Sequence, residues 1–413
     1  MEKISVYIFN GQCRAAAYGI GTYIEELKHV CHTAGIKVGI VNLCGRGISV
    51  TEVKDQDTRI INIPNVPGNH INGSQYYSRN VAYLLKEFIR EDKDTKLIFQ
   101  LNFMSDPYLV TSLKRLFRKS KVILVAHYTS WSFDLMGDEN KFMSILKKTA
   151  KSRTVFEKSL VKTFRADVQM IQKVDKFVCV AQHTLNTFVK CGKIDREKSQ
   201  VINNALTDEY TPVSCEVRLQ LRKKYKIGND EQVILFVGRL DKMKGVEPLI
   251  ESFKILLKNH PRAHLFFLGE GDFSHWLNCA SDDWTRITFT GILKKAQVQD
   301  FYRMADVGVV SSLHEEFGLV AIEMMMHRVP IVVGDTGGLA EIVEDNVSGL
   351  KAPVVDKDGQ RTIAADELAE RIGRIIDSHA LAALIAENGR KKYLACYESS
   401  LFASKMLNLY KTV

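Results

Sequence analysis

Short apolar runs separated by stretches of helical spacing recur along the chain. In the first half the runs are Ile4–Phe9, Val38–Leu43, Leu97–Leu101, Val122–Ala126 and Lys176–Ala181, with helix-like stretches such as Thr22–Thr33 and Ser78–Glu91 between them. Strand and helix alternating at this spacing predict a parallel sheet covered on both faces. From Val201 to about Gly228 the pattern lapses into Asn203-Asn204, Tyr210-Thr211-Pro212 and a charged helical run, Cys215 to Lys226, which reads as a linker. A second series follows: Val233–Val237, His264–Leu268, Ile287–Thr290, Val307–Val310 and Pro330–Val333. The expected fold class is therefore α/β, with two doubly wound, Rossmann-like domains and a cleft between them at the carboxyl ends of the strands.

Length and composition agree with two domains. A chain of 413 residues exceeds one ordinary core, and 46% hydrophobic with 25% charged residues is usual for a globular protein. The charge is uneven: residues 1–200 hold 31 Lys and Arg against 19 Asp and Glu, and the remainder 26 against 29. A basic first half suits an anionic partner surface, although solvated helix faces produce the same surplus. Nucleic acid is not expected, because no basic-aromatic run, zinc-finger spacing or basic zipper is present. The eight cysteines are scattered without metal spacing, and no leader-like segment or membrane-length apolar run stands out. A cytoplasmic protein is the expectation, with possible contact at the inner membrane face through the basic, amphipathic Leu113–Lys119.

The chemistry concentrates in the second series. Ser311 to Glu323 carries two carboxylates, Glu315 and Glu323, around Phe317-Gly318-Leu319, between a buried strand and a helix. Helix-terminal amides beside two hydrogen-bond acceptors suit a ligand with phosphate at one end and hydroxyls at both sides, such as a nucleotide sugar. Gly238-Arg239-Leu240-Asp241-Lys242-Met243-Lys244-Gly245 follows the first strand of this domain and offers Arg239 and Lys244 to phosphate oxygens. Gly269-Glu270-Gly271, Thr290-Gly291-Ile292-Leu293 and Gly337-Gly338-Leu339-Ala340-Glu341 also follow strands, where glycine serves either ligand approach or a tight turn. In the first domain, Gly19-Ile20-Gly21-Thr22-Tyr23 is half of a dinucleotide fingerprint, with Ile24 at the third glycine position and no acid ending the second strand. His127 ends a strand and is a candidate cleft imidazole, while His314 could orient Glu315. The Asp-x-Asp triplets at 55–57, 92–94 and 356–358 lack an adjacent apolar strand, and no essential metal or other cofactor is expected.

In family order and spacing, Gly238-Arg239-Leu240, Lys244-Gly245, Glu315-x7-Glu323 and Gly337-Gly338 with Glu341 resemble the GT-B glycosyltransferases, specifically the retaining family four. Gly19 to Leu27 resembles that family's amino-terminal glycine loop and helix. The resemblance implies an acceptor-binding domain at 1–205, a nucleotide-sugar-binding domain at 206–393, and a final helix from about 394 to 413 crossing back onto the first. It implies a metal-independent hexosyltransferase acting from a nucleotide sugar, UDP-linked in preference to GDP-linked, on a hydroxyl of a glycan, lipid-linked or peptide acceptor. Arg239 and Lys244, catalytic together with His127 and Glu315, would hold the diphosphate, and Phe317, Gly318 and Leu319 would bind the donor, the Gly318 and Leu319 amides touching phosphate or sugar. Glu323 would take the ribose hydroxyls, Glu315 the transferred sugar, and Ile292 and Leu293 the base. His127 would lie beside the reacting sugar, and amides from Gly19 to Gly21 would complete the phosphate site on domain closure. Asn203-Asn204-Ala205-Leu206-Thr207 departs from the family's Pro-Asn-Gly hinge, and Glu323-Met324 from its Glu-Ala. Two other readings are a non-catalytic subunit assisting a partner and a sugar-nucleotide epimerase.

Overall fold

The computed structural model describes residues 3–11, 19–45, 47–55, 57–64, 75–104, 106–357 and 359–413. The chain divides into two compact units, Met1–Ala205 with Ser399–Val413, and Leu206–Glu398.

The first unit is built on β1 (Lys3–Gly11), β2 (Lys37–Gly45), β3 (Thr51–Asp55), β4 (Thr58–Pro64), β5 (Thr95–Leu101), β6 (Lys121–Ala126), β7 (Lys176–Cys179) and β8 (Ser199–Val201). Its described strands lie in the order β3-β4-β2-β1-β5-β6-β7-β8, parallel except for the β3–β4 hairpin. Val122 to Ala126 are each fully buried. Successive strand residues point to opposite faces, so a continuously buried strand has both faces of its sheet covered.

The second unit contains β9 (Gln232–Val237), β10 (Ala263–Leu268), β11 (Ile287–Gly291), β12 (Val307–Val310), β13 (Ile331–Asp335), β14 (Leu350–Lys357) and β15 (Gln360–Ile363). Their order is β11-β10-β9-β12-β13-β14-β15, parallel but for β14–β15. Each unit is thus a doubly wound α/β sheet, the class expected.

The apolar runs located most of the buried strands, but they missed β4, whose Ile61 and Ile63 are buried, the three-residue β8, and the more exposed β3, β14 and β15. Every residue of β3, Thr-Glu-Val-Lys-Asp, is exposed, and the outer half of β14, Val354 to Lys357, is largely exposed, so neither carries a core signal. The charged run from Cys215 belongs to the second unit rather than to a linker. It is a helix, Cys215–Lys224, whose Arg222 donates to the Glu231 carbonyl at 2.6 Å and whose Arg218 pairs with Asp306 at 2.5 Å.

The segment that returns to the first unit is Ser399–Val413, so the expected start near residue 394 falls inside the preceding helix, His379–Cys396. The helix Ser399–Thr412 buries Phe402, Met406, Leu409 and Tyr410 in the first unit. The two chain passages run side by side, with the Leu206 N–H donating to the Tyr397 carbonyl at 3.0 Å.

Leu113 and Phe117 point into the first core, and Lys114 pairs with Asp175 at 2.9 Å. The amphipathic pattern of Leu113–Lys119 is therefore spent on packing. No helix among the described residues is long and apolar enough to cross a membrane.

Phe402→Ala should destabilise the protein by about 3–5 kcal/mol, the usual cost of emptying a buried phenylalanine site. Urea unfolding measures it; an unchanged midpoint would mean that the last helix is not part of the first core.

Candidate functional site

In the second sheet the strand order descends from β11 to β9 and then jumps to β12. Such a reversal leaves a crevice beyond the carboxyl ends of the two strands, where ligands bind in open α/β sheets. The loops after β9, β12 and β13 meet there at very short range. Gly245 has φ +65°, and a Cβ on it would stand 1.8 Å from the Ser311 carbonyl oxygen. Gly337 has φ +48°, and its Cβ would stand 2.1 Å from the Glu315 carbonyl oxygen. Hydrogen bonds close the same seams: Ser311 Oγ to the Lys244 and Gly245 carbonyls (3.0 Å each), Leu313 N–H to Met243 O (2.8 Å), Gly338 N–H to Glu315 O (2.8 Å) and Thr336 Oγ1 to Leu313 O (3.1 Å). The Gly269 to Gly271 stretch has a packing role, running beside the first loop with the Leu240 N–H donating to Glu270 O at 2.8 Å.

This backbone cluster aims Lys244 at Glu315. The Asp241 carboxylate caps the one-turn helix Lys242–Lys244 by accepting from the Lys244 N–H at 3.0 Å. The Lys244 ammonium then pairs with Glu315 Oε1, which also accepts from Ser312 Oγ at 2.9 Å. Burial pushes the Glu315 carboxyl up, but the Lys244 charge and hydrogen bonds from Lys244 and Ser312 outweigh it and hold the group below its ordinary value. Arg239 pairs with Asp241 at 3.1 Å, and both are partly exposed. Exposed pairs are worth about 0–1 kcal/mol, so Arg239 can exchange this partner for an anionic ligand cheaply.

Gly318, at φ +119°, forms the N-cap of the helix Leu319–Met326, so the Gly318 and Leu319 amides stand at its positive end. The Phe317 ring turns inward, edge-on to Tyr397 at 5.8 Å, leaving its backbone as the part nearest the helix start. One turn into the helix, Glu323 Oε2 accepts from the Tyr302 hydroxyl at 2.7 Å. Burial raises the Glu323 carboxyl above its ordinary value, so the two acids behave oppositely. Tyr302 lies on Lys295–Met304, the helix just after exposed Ile292 and half-buried Leu293. The bond ties Glu323 to the helix that follows these apolar residues. Met324, where the resembled family has alanine, fits because Gly308 on β12 lacks a side chain; a Cβ there would stand 2.5 Å from the methionine sulfur. The His314 Nε2 contact goes to Glu316 at 3.1 Å, with both side chains buried, and its effect on Glu315 is electrostatic.

In the first unit, Gly19 and Gly21 lie within the described helix Gly19–Thr33 rather than in a loop. Residues 12–18 lie outside the described residues. Half-buried His127, one residue past β6, packs edge-on against Tyr23 of that helix, with ring centroids 4.4 Å apart. Its Nε2 lies 3.4 Å from Asn102 Oδ1. The Asp-x-Asp stretch at 92–94 is a turn, in which Asp92 accepts from the Asp94 N–H and the Thr95 hydroxyl at 3.2 Å each. Sequence reasoning passed over Asp241, Ser312, Tyr302 and Asn102. Ser312, three residues before Glu315, could have been suspected; Tyr302 could not, since its contact crosses between helices.

Residues 217–392 match the family described as glycosyl transferases group 1. Over 220 residues the chain is 30% identical to an uncharacterised glycosyltransferase of Methanocaldococcus jannaschii, MJ1607, a match covering 52% of this chain and 54% of that relative. It spans, then, about half the length of that curated relative. The structure is similar to sucrose-phosphate synthase of Thermosynechococcus elongatus, with TM-score 0.73, 19% identity and 99% and 98% of the two chains covered. It is also similar to Anabaena HepE, solved in complex with UDP-glucose, with TM-score 0.71, 16% identity and 99% and 100% covered. At these identities the likeness establishes the fold, which is GT-B.

Gly245→Ala should cost several kcal/mol, combining about 1–2 kcal/mol for left-handed backbone with the carbonyl overlap. Gly291→Ala is the contrast, since Gly291 has φ +74° but nothing within 4 Å of its Cβ position. It should cost only the backbone share. Equal losses in thermal unfolding would mean that the loops do not meet as closely as described.

Proposed function

We propose that the chain, whose residues 217–392 match the glycosyl transferases group 1, is a retaining glycosyltransferase. It moves a hexosyl-type group from a nucleotide sugar, UDP-linked in preference to GDP-linked, to a hydroxyl of a glycan, lipid-linked or peptide acceptor. The observation that carries this reading is Lys244 held against Glu315 at the sheet reversal, beside the helix start at Gly318. A cation, a sugar-binding carboxylate and helix-terminal amides are what a sugar diphosphate requires. The UDP-glucose in the HepE complex supports the choice of base.

The residues then take the following roles. Arg239 and Lys244 neutralise the diphosphate as negative charge grows on it, aided by the Gly318 and Leu319 amides. Glu315 accepts from hydroxyls of the transferred sugar, and its ionised state matches that task. Glu323 accepts from the ribose, with Tyr302 holding its second oxygen, and Ile292 and Leu293 offer apolar surface to the base. For His127 the proposed contact is a sugar hydroxyl, and for the amides of Gly19 and Gly21 a phosphate. In retention the leaving phosphate oxygen takes the acceptor proton on the same face, so neither carboxylate is assigned as a base. Fixed cations meet the phosphate charge in this scheme, and no metal is invoked.

A cytoplasmic site of action is part of the proposal, supported by seven described cysteines that are all free. A membrane-bound acceptor would be met by the first unit's groove of exposed Tyr76, Tyr83 and Tyr108 with Arg79 and Arg115. Salt-sensitive flotation with anionic vesicles, reduced by Arg79→Ala with Arg115→Ala, is the expected result; salt-insensitive or absent flotation removes the membrane from the scheme.

A thermal-shift panel of nucleotide sugars tests the donor, since a ligand at 100 Kd stabilises by about 2.7 kcal/mol. The largest shift should come from a UDP-sugar, and no shift from any member would sink the reading. Lys244→Ala should lower turnover by about 10²-fold, with a smaller effect on donor affinity. Conversion of the donor sugar without acceptor would instead indicate an epimerase.

Burial gives Glu323 a pKa above that of an exposed glutamate, so it takes up its proton earlier as pH falls. Nucleotide affinity should therefore weaken on mild acidification. In Glu323→Gln it should be weak throughout and lack that slope; an unchanged slope by calorimetry would separate Glu323 from the ribose.

A further inference from the structure

A buried chain of hydrogen bonds runs from the last helix to His127, entirely within the first unit. The Tyr410 hydroxyl meets Gln100 Oε1 at 2.6 Å. Gln100 Nε2 meets the Tyr23 hydroxyl at 3.0 Å and Asn102 Oδ1 at 3.2 Å. Asn102 Oδ1 in turn lies 3.4 Å from His127 Nε2. Gln100, Tyr410, Asn102 and Tyr23 are all at most 3% exposed, so water does not substitute for these partners. Tyr23 also packs edge-on to the His127 ring.

The lengths assign the polarity of the chain. A contact of 2.6 Å suits O–H···O and is short for an amide N–H donor, whereas 3.0 and 3.2 Å suit N–H···O. Tyr410 therefore donates, Gln100 turns its carbonyl to Tyr410, and its NH₂ faces Tyr23 and Asn102. Asn102 must then present its carbonyl oxygen, which only accepts. A nitrogen facing that oxygen has to carry a hydrogen. Turning Gln100 over would turn Asn102 over and invert the demand on His127.

We propose that Gln100, Asn102 and Tyr410 are positioning residues that hold His127 as the Nε2–H tautomer, so that Nδ1 is an acceptor for a ligand hydroxyl. The inference rests on the reading of His127 as a sugar-contacting residue only for the identity of that hydroxyl. Burial pushes His127 down to about 3, so the ring stays neutral through the physiological range. His127 thus neither stabilises a phosphate by charge nor donates to the sugar through Nδ1. It orients a hydroxyl by accepting its hydrogen bond at Nδ1. The carboxyl-terminal helix, remote in sequence, controls which way that bond points.

The test is long-range ¹⁵N–¹H NMR of histidine-labelled full-length protein, with His127 assigned by its absence in His127→Gln. The wild type should give a neutral Nε2–H ring at pH 7 and still at pH 5. Tyr410→Phe keeps the buried ring and removes only the donor, and should move His127 signals toward the average of two tautomers. Asn102→Asp keeps an acceptor at the same place, and should retain Nε2–H while raising the His127 pKa. An Nδ1–H or charged ring in the wild type overturns the proposal, as does Tyr410→Phe leaving the tautomer unchanged. Titration with UDP-glucose is a separate arm: a fixed tautomer whose Nδ1 signal ignores the donor overturns the sugar-contact reading and spares the positioning one.

Discussion

Backbone meeting backbone at the reversal of the second sheet is the constraint on which the candidate site depends. The carbonyls of Ser311 and Glu315 occupy the space that a side chain at Gly245 or Gly337 would need. Because the loops after β9, β12 and β13 are locked together this way, Lys244, Ser312 and Glu315 converge without help from long side-chain rotamer searches. A site preorganised by backbone contacts has little left to order when a ligand arrives.

The two carboxylates eight positions apart are a pair in sequence only. Glu315 sits with a cation and a hydroxyl and is held ionised, whereas Glu323 is buried with a tyrosine and holds its proton more tightly. Opposite environments commonly mark an acid and a base. Here one oxygen of each group is held by a neighbour suited to orientation, Glu315 Oε1 by Lys244 and Ser312 and Glu323 Oε2 by Tyr302. That division fits two different sets of ligand hydroxyls better than proton transfer.

The first unit solves a similar problem with side chains instead of glycines. Its own reversal lies between β1 and β5, and Asn102 stands one residue past the end of β5, between Gln100 and His127. Amide groups read polarity as well as position, because one end accepts and the other donates. The returning helix therefore contributes more than buried apolar area: the Tyr410 hydroxyl gives the network its direction.

What was legible in the sequence follows from locality. Continuous apolar runs marked the strands buried on both faces, and Gly238-Arg239, Lys244-Gly245 and Glu315-x7-Glu323 marked the loops beyond them, because each is a short-range pattern. The same logic failed where no burial signal exists, as in β3, and where amphipathicity had a bland cause, as in Leu113–Lys119 packing into the core. Partner choice was not local. That Lys244 meets Glu315, Tyr302 meets Glu323, His314 turns to Glu316 and Tyr410 reaches Gln100 was decided by tertiary structure, since each contact joins elements whose separation along the chain or whose side-chain direction only the folded sheets determine. The sequence by itself determined which groups stand at the strand ends; folding decided which of them touch, and thereby what each can do.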